Sequence, residues 1–227
     1  MELLQNTDFW IGLVKIVWIN IILSGDNAVV IALAARSLPL DQQKKAVLFG
    51  SGAAVVLRVI LTVVAAKLLE MSFLQIIGGI LLFWIGIQLL SDDEGEEGHS
   101  KNTGNLMAAV RTILIADLVM SLDNVIAVAA AAKGSMLLLI LGLAISIPLV
   151  IFGSTLMIRL MERFPVIVVL GAALIGWVGG ETIVGDTALK AWMASHGWMH
   201  LVAPALGAVL VIGLGKAMQR RNAQTAH

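Results

Sequence analysis

The chain has 227 residues, of which 59% are hydrophobic and 13% are charged, and its mean hydropathy is +0.96. A soluble domain carries roughly 25% charged residues, so this composition excludes a soluble domain and indicates several membrane-spanning segments. The balance of 15 basic and 15 acidic residues provides no basic surface for a nucleic acid, and the lack of cysteine excludes disulfides, thiolate metal sites and a cysteine nucleophile.

Seven apolar segments predict an all-α fold with seven transmembrane helices in a single membrane domain, 1–227. The predicted helices cover about residues 9–35, 43–68, 72–91, 106–132, 135–161, 165–184 and 199–218. The residues before the first segment are acidic and lack the basic region of a secretory signal, so this segment is predicted to be a retained span. Residues 92–104 are acidic and contain glycine, which predicts a loop between the third and fourth helices.

The first three helices and the next three are related by an internal repeat. Residues 24–27 (Ser-Gly-Asp-Asn) in the first helix return 97 positions later as residues 121–124 (Ser-Leu-Asp-Asn) in the fourth. Further along, an offset of 92 aligns Gly50 with Gly142, Lys67 with Arg159, Glu70 with Glu162 and Gly79 with Gly171. We therefore predict repeat 1 over 9–91, repeat 2 over 105–184, and one additional helix over 199–218.

The odd number of spans in each repeat predicts that the second copy is inserted upside down. Inverted repeats hold substrate sites at the membrane midplane, on interrupted helices where the two repeats meet. The loop charges predict an outside N-terminus and a cytoplasmic C-terminus. In that orientation ten Lys and Arg residues lie on the inner side and three on the outer side, and the acidic loop 92–104 is cytoplasmic.

Polar side chains near the middle of the first and fourth helices form the candidate site. Residues at positions i, i+4 and i+7 share one face of an α-helix. The residues on this face are Asn20, Ser24 and Asn27 in the first helix and Asp117, Ser121 and Asn124 in the fourth. Polar faces at this depth are expected to line a cavity or a contact inside the protein, because lipid offers them no partner.

Asp26 and Asp123 lie about 100° around their helices from the neighbouring asparagines. Local unwinding at residues 24–25 would rotate Asp26 into the same cavity and free backbone carbonyls as ligands, because Gly25 adopts the required backbone angles. Hydrogen bonding between helices is the alternative role for these polar groups. That role does not need a carboxylate, whose burial in a membrane costs ~2.5–3.5 kcal/mol.

The oxygen-rich set of donors predicts a metal site. Three carboxylates, three carboxamides and two hydroxyls suit Mg²⁺, Ca²⁺ or Mn²⁺ and disfavour Zn²⁺ or Cu⁺. The predicted metal ligands are Asp26, Asn27, Asp117, Asp123 and Asn124, and the accessory residues are Asn20, Ser24, Ser121 and Glu181. Glu181 is at the outer end of the sixth helix, where it would line an exit path or lie at the level of the lipid headgroups.

Arg58 falls near the middle of the second helix. A buried guanidinium needs an anion, and the carboxylates of the first and fourth helices are its expected partners. Its predicted role is therefore to balance charge in the empty site.

These residues resemble the TerC family of integral membrane proteins, which belongs with the LysE-like exporters. The resemblance covers roughly residues 9–216 and rests on the motif of residues 24–28 together with Asp117 and residues 121–124. It implies seven membrane helices in the bacterial inner membrane and export of Mn²⁺, as a transported substrate with no tightly bound cofactor. The acidic residues of the family would be Asp26, Asp117 and Asp123 here. Met120 is a departure, because an aromatic residue is expected there, and it leaves the metal selectivity open.

The predicted function is a secondary transporter that exports Mn²⁺ by rocking one repeat against the other, with protons replacing the departing metal. One alternative is an exporter of another cation, such as Ca²⁺ or Mg²⁺, or of a small solute. Another is a membrane scaffold that assists metal loading of exported proteins. An enzyme is not expected, because the spans contain no nucleophile–base pair, phosphate-binding loop or zinc-peptidase motif. The expected partners are a divalent metal ion and the lipid bilayer, and formation of a homo-oligomer is left open.

Overall fold

A computed structural model describes residues 7–69, 71–91, 105–132 and 135–225, and every regular element in this part of the chain is helical. Its long helices are α1 Thr7–Ala35, α2 Leu40–Leu69, α3 Leu74–Ser91, α4 Leu106–Ala132, α5 Met136–Arg163, α6 Val166–Gly185 and α7 Met199–Thr225. Between α6 and α7 the chain forms a 3₁₀ turn at Thr187–Leu189 and a single α-helical turn at Lys190–Met193.

The observed helices begin and end within three residues of the predicted ones, except at the end of α7. The polar residues after Met218 suggested an end at the membrane surface, whereas α7 continues to Thr225. The predicted unwinding at residues 24–25 is wrong, because α1 is helical throughout. An added Cβ at Gly25 would meet no atom within 4 Å, so no close contact requires glycine at this position. The predicted loop 92–104 lies outside the described residues.

Five helices in the described part of the chain are long and apolar enough to cross a membrane. The spans are Leu40–Val64, Leu74–Ser91, Met136–Arg163, Val166–Gly185 and Met199–Asn222. Large apolar side chains cover the outer surface of the bundle, as Phe152, which is 71% exposed, illustrates. The protein is therefore an integral membrane protein. The count of seven spans stays a prediction, because parts of α1 and α4 carry side chains outside the described ones.

Several hydroxyl groups within the spans bond to their own helix. Ser146 donates to the carbonyl of Gly142 at 3.0 Å, and Ser154 donates to the carbonyl of Val150 at 2.8 Å. A bond to the carbonyl one turn earlier satisfies a hydroxyl where neither water nor a neighbouring helix is available. These serines are therefore compatible with an apolar span and form no part of the candidate site.

The helices pack in two groups, the four-helix group (α1, α2, α4 and α5) and the three-helix group (α3, α6 and α7). In the four-helix group the most extensive contacts join α2 to α4 and α1 to α5, and α1 also contacts α4. In the three-helix group α6 packs along both α7 and α3. Contacts within a predicted repeat, such as α1 with α2, are smaller than the main contacts between the repeats. The two helices that carry the Asp-Asn motifs are therefore direct neighbours.

Glycine allows α6 to approach its neighbours closely. An added Cβ at Gly176 would lie 2.5 Å from the carbonyl oxygen of Gly207 in α7, so the two backbones are in contact at this point. The main apolar cluster fills the space between the helix groups and includes Leu33, Ile113 and Ile175, each about 1% exposed. Such backbone contact and interlocking of side chains is the usual basis of helix association in membranes.

Candidate functional site

The first polar face of the candidate site lies on α1. Asn27 is buried, with 5% of its surface exposed, and Asp26 is half-buried. Because α1 is a continuous helix, these two side chains leave it in directions about 100° apart. The side chains of Asn20 and Ser24, which were predicted to share this face, lie outside the described part of the chain.

The second polar face lies on α4 and is joined to α2 by an ion pair. Nη2 of Arg58 donates to Oδ1 of Asp117 at 2.6 Å, and Nε of Arg58 donates to Oγ of Ser121 at 3.1 Å. Ser121 in turn donates to Oδ2 of Asp117 at 3.3 Å. Asp117 and Arg58 are 5% and 6% exposed, and Ser121 is fully buried. The expected pairing of Arg58 with a carboxylate of the fourth helix is thus present in the structure.

The contacts of Asp117 restrict what this carboxylate can do. Both of its oxygens accept hydrogen bonds, one from Arg58 and one from Ser121. Breaking a buried ion pair by removal of one partner typically costs about 3–5 kcal/mol, because the other charge is left without compensation. In this arrangement Asp117 neutralises a guanidinium, so a metal ion at this carboxylate would compete with Arg58 for its charge. Its role as a metal ligand therefore stays a prediction.

Asp123 and Asn124 follow Ser121 on the same helix by two and three residues. Their side chains lie outside the described residues, so their predicted role as ligands is untested by the geometry. Among the side chains that the structure does describe, no group of three His, Cys, Asp or Glu residues converges on a metal-sized site. The described part of the candidate site therefore consists of Asp26 and Asn27 on α1 and the Arg58 ion pair between α2 and α4.

Two other residues noted in the sequence occupy different environments. Glu181, a predicted accessory residue, is exposed near the end of α6 and makes no described contact with the polar faces. Met120 is buried in the main apolar cluster. Its thioether therefore packs among apolar side chains, which is the common role of methionine in a helix contact.

A carboxylate that the sequence analysis missed lies at one end of the bundle. Asp186 is 1% exposed and accepts backbone hydrogen bonds from Phe73, Gln75, Ile76 and Ala188. It thereby caps the N-terminus of α3 from the segment that follows α6. Burial opposes the charged form of Asp186, but the four N–H donors outweigh it and hold the pKa of Asp186 below its ordinary value.

The capping role of Asp186 has a partial signal in the sequence. An aspartate two residues before the N–H that it binds is typical of a local cap, and this spacing identifies the bond from Ala188. The other three donors precede Asp186 by 110 to 113 residues. No local pattern indicates those partners. Phe73, one of them, has a φ of 69°, which an apolar side chain rarely adopts, and the bond to Asp186 helps to hold it there.

Comparison with known proteins agrees with the helical architecture. Residues 5–223 match the model of the family described as "Integral membrane protein TerC family". The chain is 45% identical over 205 residues to the membrane protein YjbE of Bacillus subtilis, covering 90% of this chain and 94% of that protein. It is 27% identical over 241 residues to the inner membrane protein YoaE of Escherichia coli K12, covering 98% of this chain but 45% of YoaE. No solved structure matches the chain. The protein is therefore a member of the TerC family of integral membrane proteins.

Proposed function

We propose that this protein is a secondary transporter that exports one divalent cation, Mn²⁺, across the membrane. The observation that carries the proposal is the charge balance of the spans. The sequence places three aspartates and one arginine near the middle of α1, α2 and α4. Since Arg58 and Asp117 neutralise each other, two carboxylates remain, those of Asp26 and Asp123. Their formal charge matches that of one divalent cation.

The location of these carboxylates supports a shared site. Asp26 is on α1 and Asp123 is on α4, and the two helices are in contact. Asn27 and Asn124 would add carboxamide oxygens to the two carboxylates. Oxygen donors of this kind favour Mg²⁺, Ca²⁺ and Mn²⁺, and the choice of Mn²⁺ among them follows the family resemblance.

The helix contacts support an arrangement of two related repeats. Exchange of α1 with α4, α2 with α5 and α3 with α6 converts the α2–α4 contact into the α5–α1 contact. Two glycine contacts obey the same relation, because Gly50 of α2 lies against Ile113 of α4 and Gly142 of α5 lies against Ile16 of α1. These glycines differ by the offset of 92 and these isoleucines by the offset of 97. A site between related repeats is the usual basis of alternating access.

The moving bodies in this proposal are the two helix groups. Rocking repeat 1 against repeat 2, the motion expected from the sequence, would break the extensive α2–α4, α1–α5 and α3–α6 contacts. Movement of the four-helix group against the three-helix group would retain all three. It would disturb the smaller contacts that α3 and α6 make with the other group, and the apolar cluster between the groups would repack. The carboxylates of α1 and α4 would then stay together while access to them changes sides.

Proton exchange for the metal is part of the proposal. A carboxylate in an apolar span is easier to vacate if a proton neutralises it as the metal departs. Proteoliposomes that contain the protein and are loaded with Mn²⁺ should therefore show Mn²⁺ efflux that responds to an imposed pH gradient. Efflux that ignores the gradient would contradict exchange while leaving export itself intact.

The test of the proposal is the cellular Mn content of cells that express the wild type, Asp26→Ala or Asp123→Ala. Both variants should accumulate more Mn than the wild type at equal membrane expression, because each removes one of the two carboxylates of the proposed site. Asp41→Ala is the matched control, since Asp41 is an exposed acid in the first turn of α2. Wild-type Mn levels in cells with either site variant would contradict export and favour the scaffold alternative.

A further inference from the structure

The Arg58–Asp117 ion pair has no charged counterpart at the related position of the molecule. The repeat offsets relate Arg58 to Val150 and Asp117 to Asn20. The cation and the anion thus occur together at one position, and both are replaced by neutral residues at the other. Because a buried ion without a partner is costly, neither charge would be expected alone.

The packing places Arg58 on α2 and Val150 on α5 at equivalent levels of the two related helix pairs, α2–α4 and α5–α1. Each helix pair makes its glycine–isoleucine contact eight residues before the position concerned, from Gly50 to Arg58 on α2 and from Gly142 to Val150 on α5. Arg58 then reaches the polar face of α4. Val150 instead packs, partly buried, against the main apolar cluster. The two repeats therefore share the same packing at these positions, but only one of them carries charged residues there.

We propose that Arg58 is a tethered cation that occupies a second cation site, at Asp117 and Ser121, so that the protein binds one divalent cation at a time. The inference rests on the proposed function. The guanidinium contacts an oxygen of Asp117 at 2.6 Å and the hydroxyl of Ser121 at 3.1 Å. Without the guanidinium, both oxygens would be available to a metal ion. Removal of the guanidinium charge should therefore open this second site to a metal ion.

The experiment measures Mn²⁺ bound per chain by equilibrium dialysis of the purified full-length protein in detergent. The variants are Arg58→Met, which keeps the length of the side chain without its charge, Asp117→Asn, and the combination of both. Val150→Met is the matched control, because it adds the same side chain at the related position, which is already uncharged. Thermal unfolding of each sample, with and without Mn²⁺, reports whether the protein is folded.

The wild type, Val150→Met and the double variant should each bind one Mn²⁺, and Arg58→Met should bind two. Without metal, Arg58→Met should unfold at a lower temperature than the wild type, and Mn²⁺ should raise that temperature more than it does for the wild type. The double variant should unfold at a higher temperature than Arg58→Met, since its two uncharged side chains resemble the neutral residues at the related position, Val150 of α5 and Asn20 of α1. If Arg58→Met can be purified only in the presence of Mn²⁺, the rescue also supports the inference.

Two results would overturn the inference. In one, Arg58→Met binds the same amount of Mn²⁺ as the wild type. In the other, it fails to fold with Mn²⁺, Mg²⁺ or Ca²⁺ while the double variant folds, which would make the ion pair purely structural. A wild type that binds no Mn²⁺, beside an Arg58→Met variant that binds one, would contradict the proposed function but not the tethered cation.

Discussion

The carboxylate of Asp186 offers a direct test of how the start of α3 is held to the segment that follows α6. Asp186→Ala removes the acceptor of four backbone N–H groups, three of them from the start of α3. A single N-cap contributes about 0.5–2 kcal/mol, and hydrogen bonds to charged groups are stronger than neutral ones, so we expect a loss of about 3 kcal/mol in the free energy of unfolding. Asp186→Asn keeps one acceptor oxygen without the charge and should lose about half as much.

The same carboxylate predicts how stability depends on pH. Since the pKa of Asp186 is lowered in the folded protein, its contribution is complete above the pKa of the unfolded chain, about 3.9 for an aspartate. The contribution disappears as the pH falls from there through the lower pKa of the folded state. Wild-type stability should therefore decline below about pH 4 by more than that of Asp186→Asn, which has no charge to lose.

The assay is unfolding by sodium dodecyl sulfate in mixed micelles, followed by far-ultraviolet circular dichroism, at several pH values. Asp41→Ala serves as the control, because Asp41 is exposed in the first turn of α2 and a surface substitution usually changes stability by less than about 0.5 kcal/mol. An Asp186→Ala variant that unfolds within that margin of the wild type would refute the reasoning. So would identical pH profiles for the wild type and Asp186→Asn.

Three further predictions concern the contacts within the spans. Gly207→Ala should sharply reduce the yield of folded protein, measured by size-exclusion chromatography, because an added Cβ would collide with the carbonyl of Gly176 in α6. Gly213→Ala on the same helix is the control, since its added Cβ would meet no atom within 4 Å and should leave the yield unchanged. Mn²⁺ at about 100 times its dissociation constant should stabilise the wild type by about 2.7 kcal/mol in thermal unfolding, and Asp26→Asn should abolish the effect. Arg58→Met should cost about 3–5 kcal/mol in metal-free buffer, and a loss below 1 kcal/mol would show that the ion pair is dispensable.

The positions of the helices were predictable because lipid demands long apolar segments, and polar residues mark where those segments end. The same reasoning failed at the end of α7, because hydropathy reports the membrane boundary and not the last helical residue. Gln219, Arg220 and Arg221 are polar, yet α7 continues through them to Thr225. The predicted unwinding at Gly25 failed for a related reason, since glycine permits an irregular backbone but does not impose one.

The partner of Arg58 was predictable, whereas the partners of Asp186 were not. A guanidinium in a span must find an anion, and only a few carboxylates lie at a similar depth, so the choice was narrow before the fold was known. Asp186 binds backbone N–H groups, which every residue except proline carries. The three donors from the start of α3 are therefore indistinguishable in the sequence from any others. Only the packing of α3 along α6 identifies them.

The small contacts within each repeat have a consequence for biosynthesis. The chain is synthesised from its N-terminus, so α1, α2 and α3 are made before α4, α5 and α6, which are their main partners. Among themselves these three helices share little surface, and α1 and α2 acquire extensive packing only when α5 and α4 arrive. We therefore expect the first three helices to stay loosely associated and to become compact only after the second half has been synthesised.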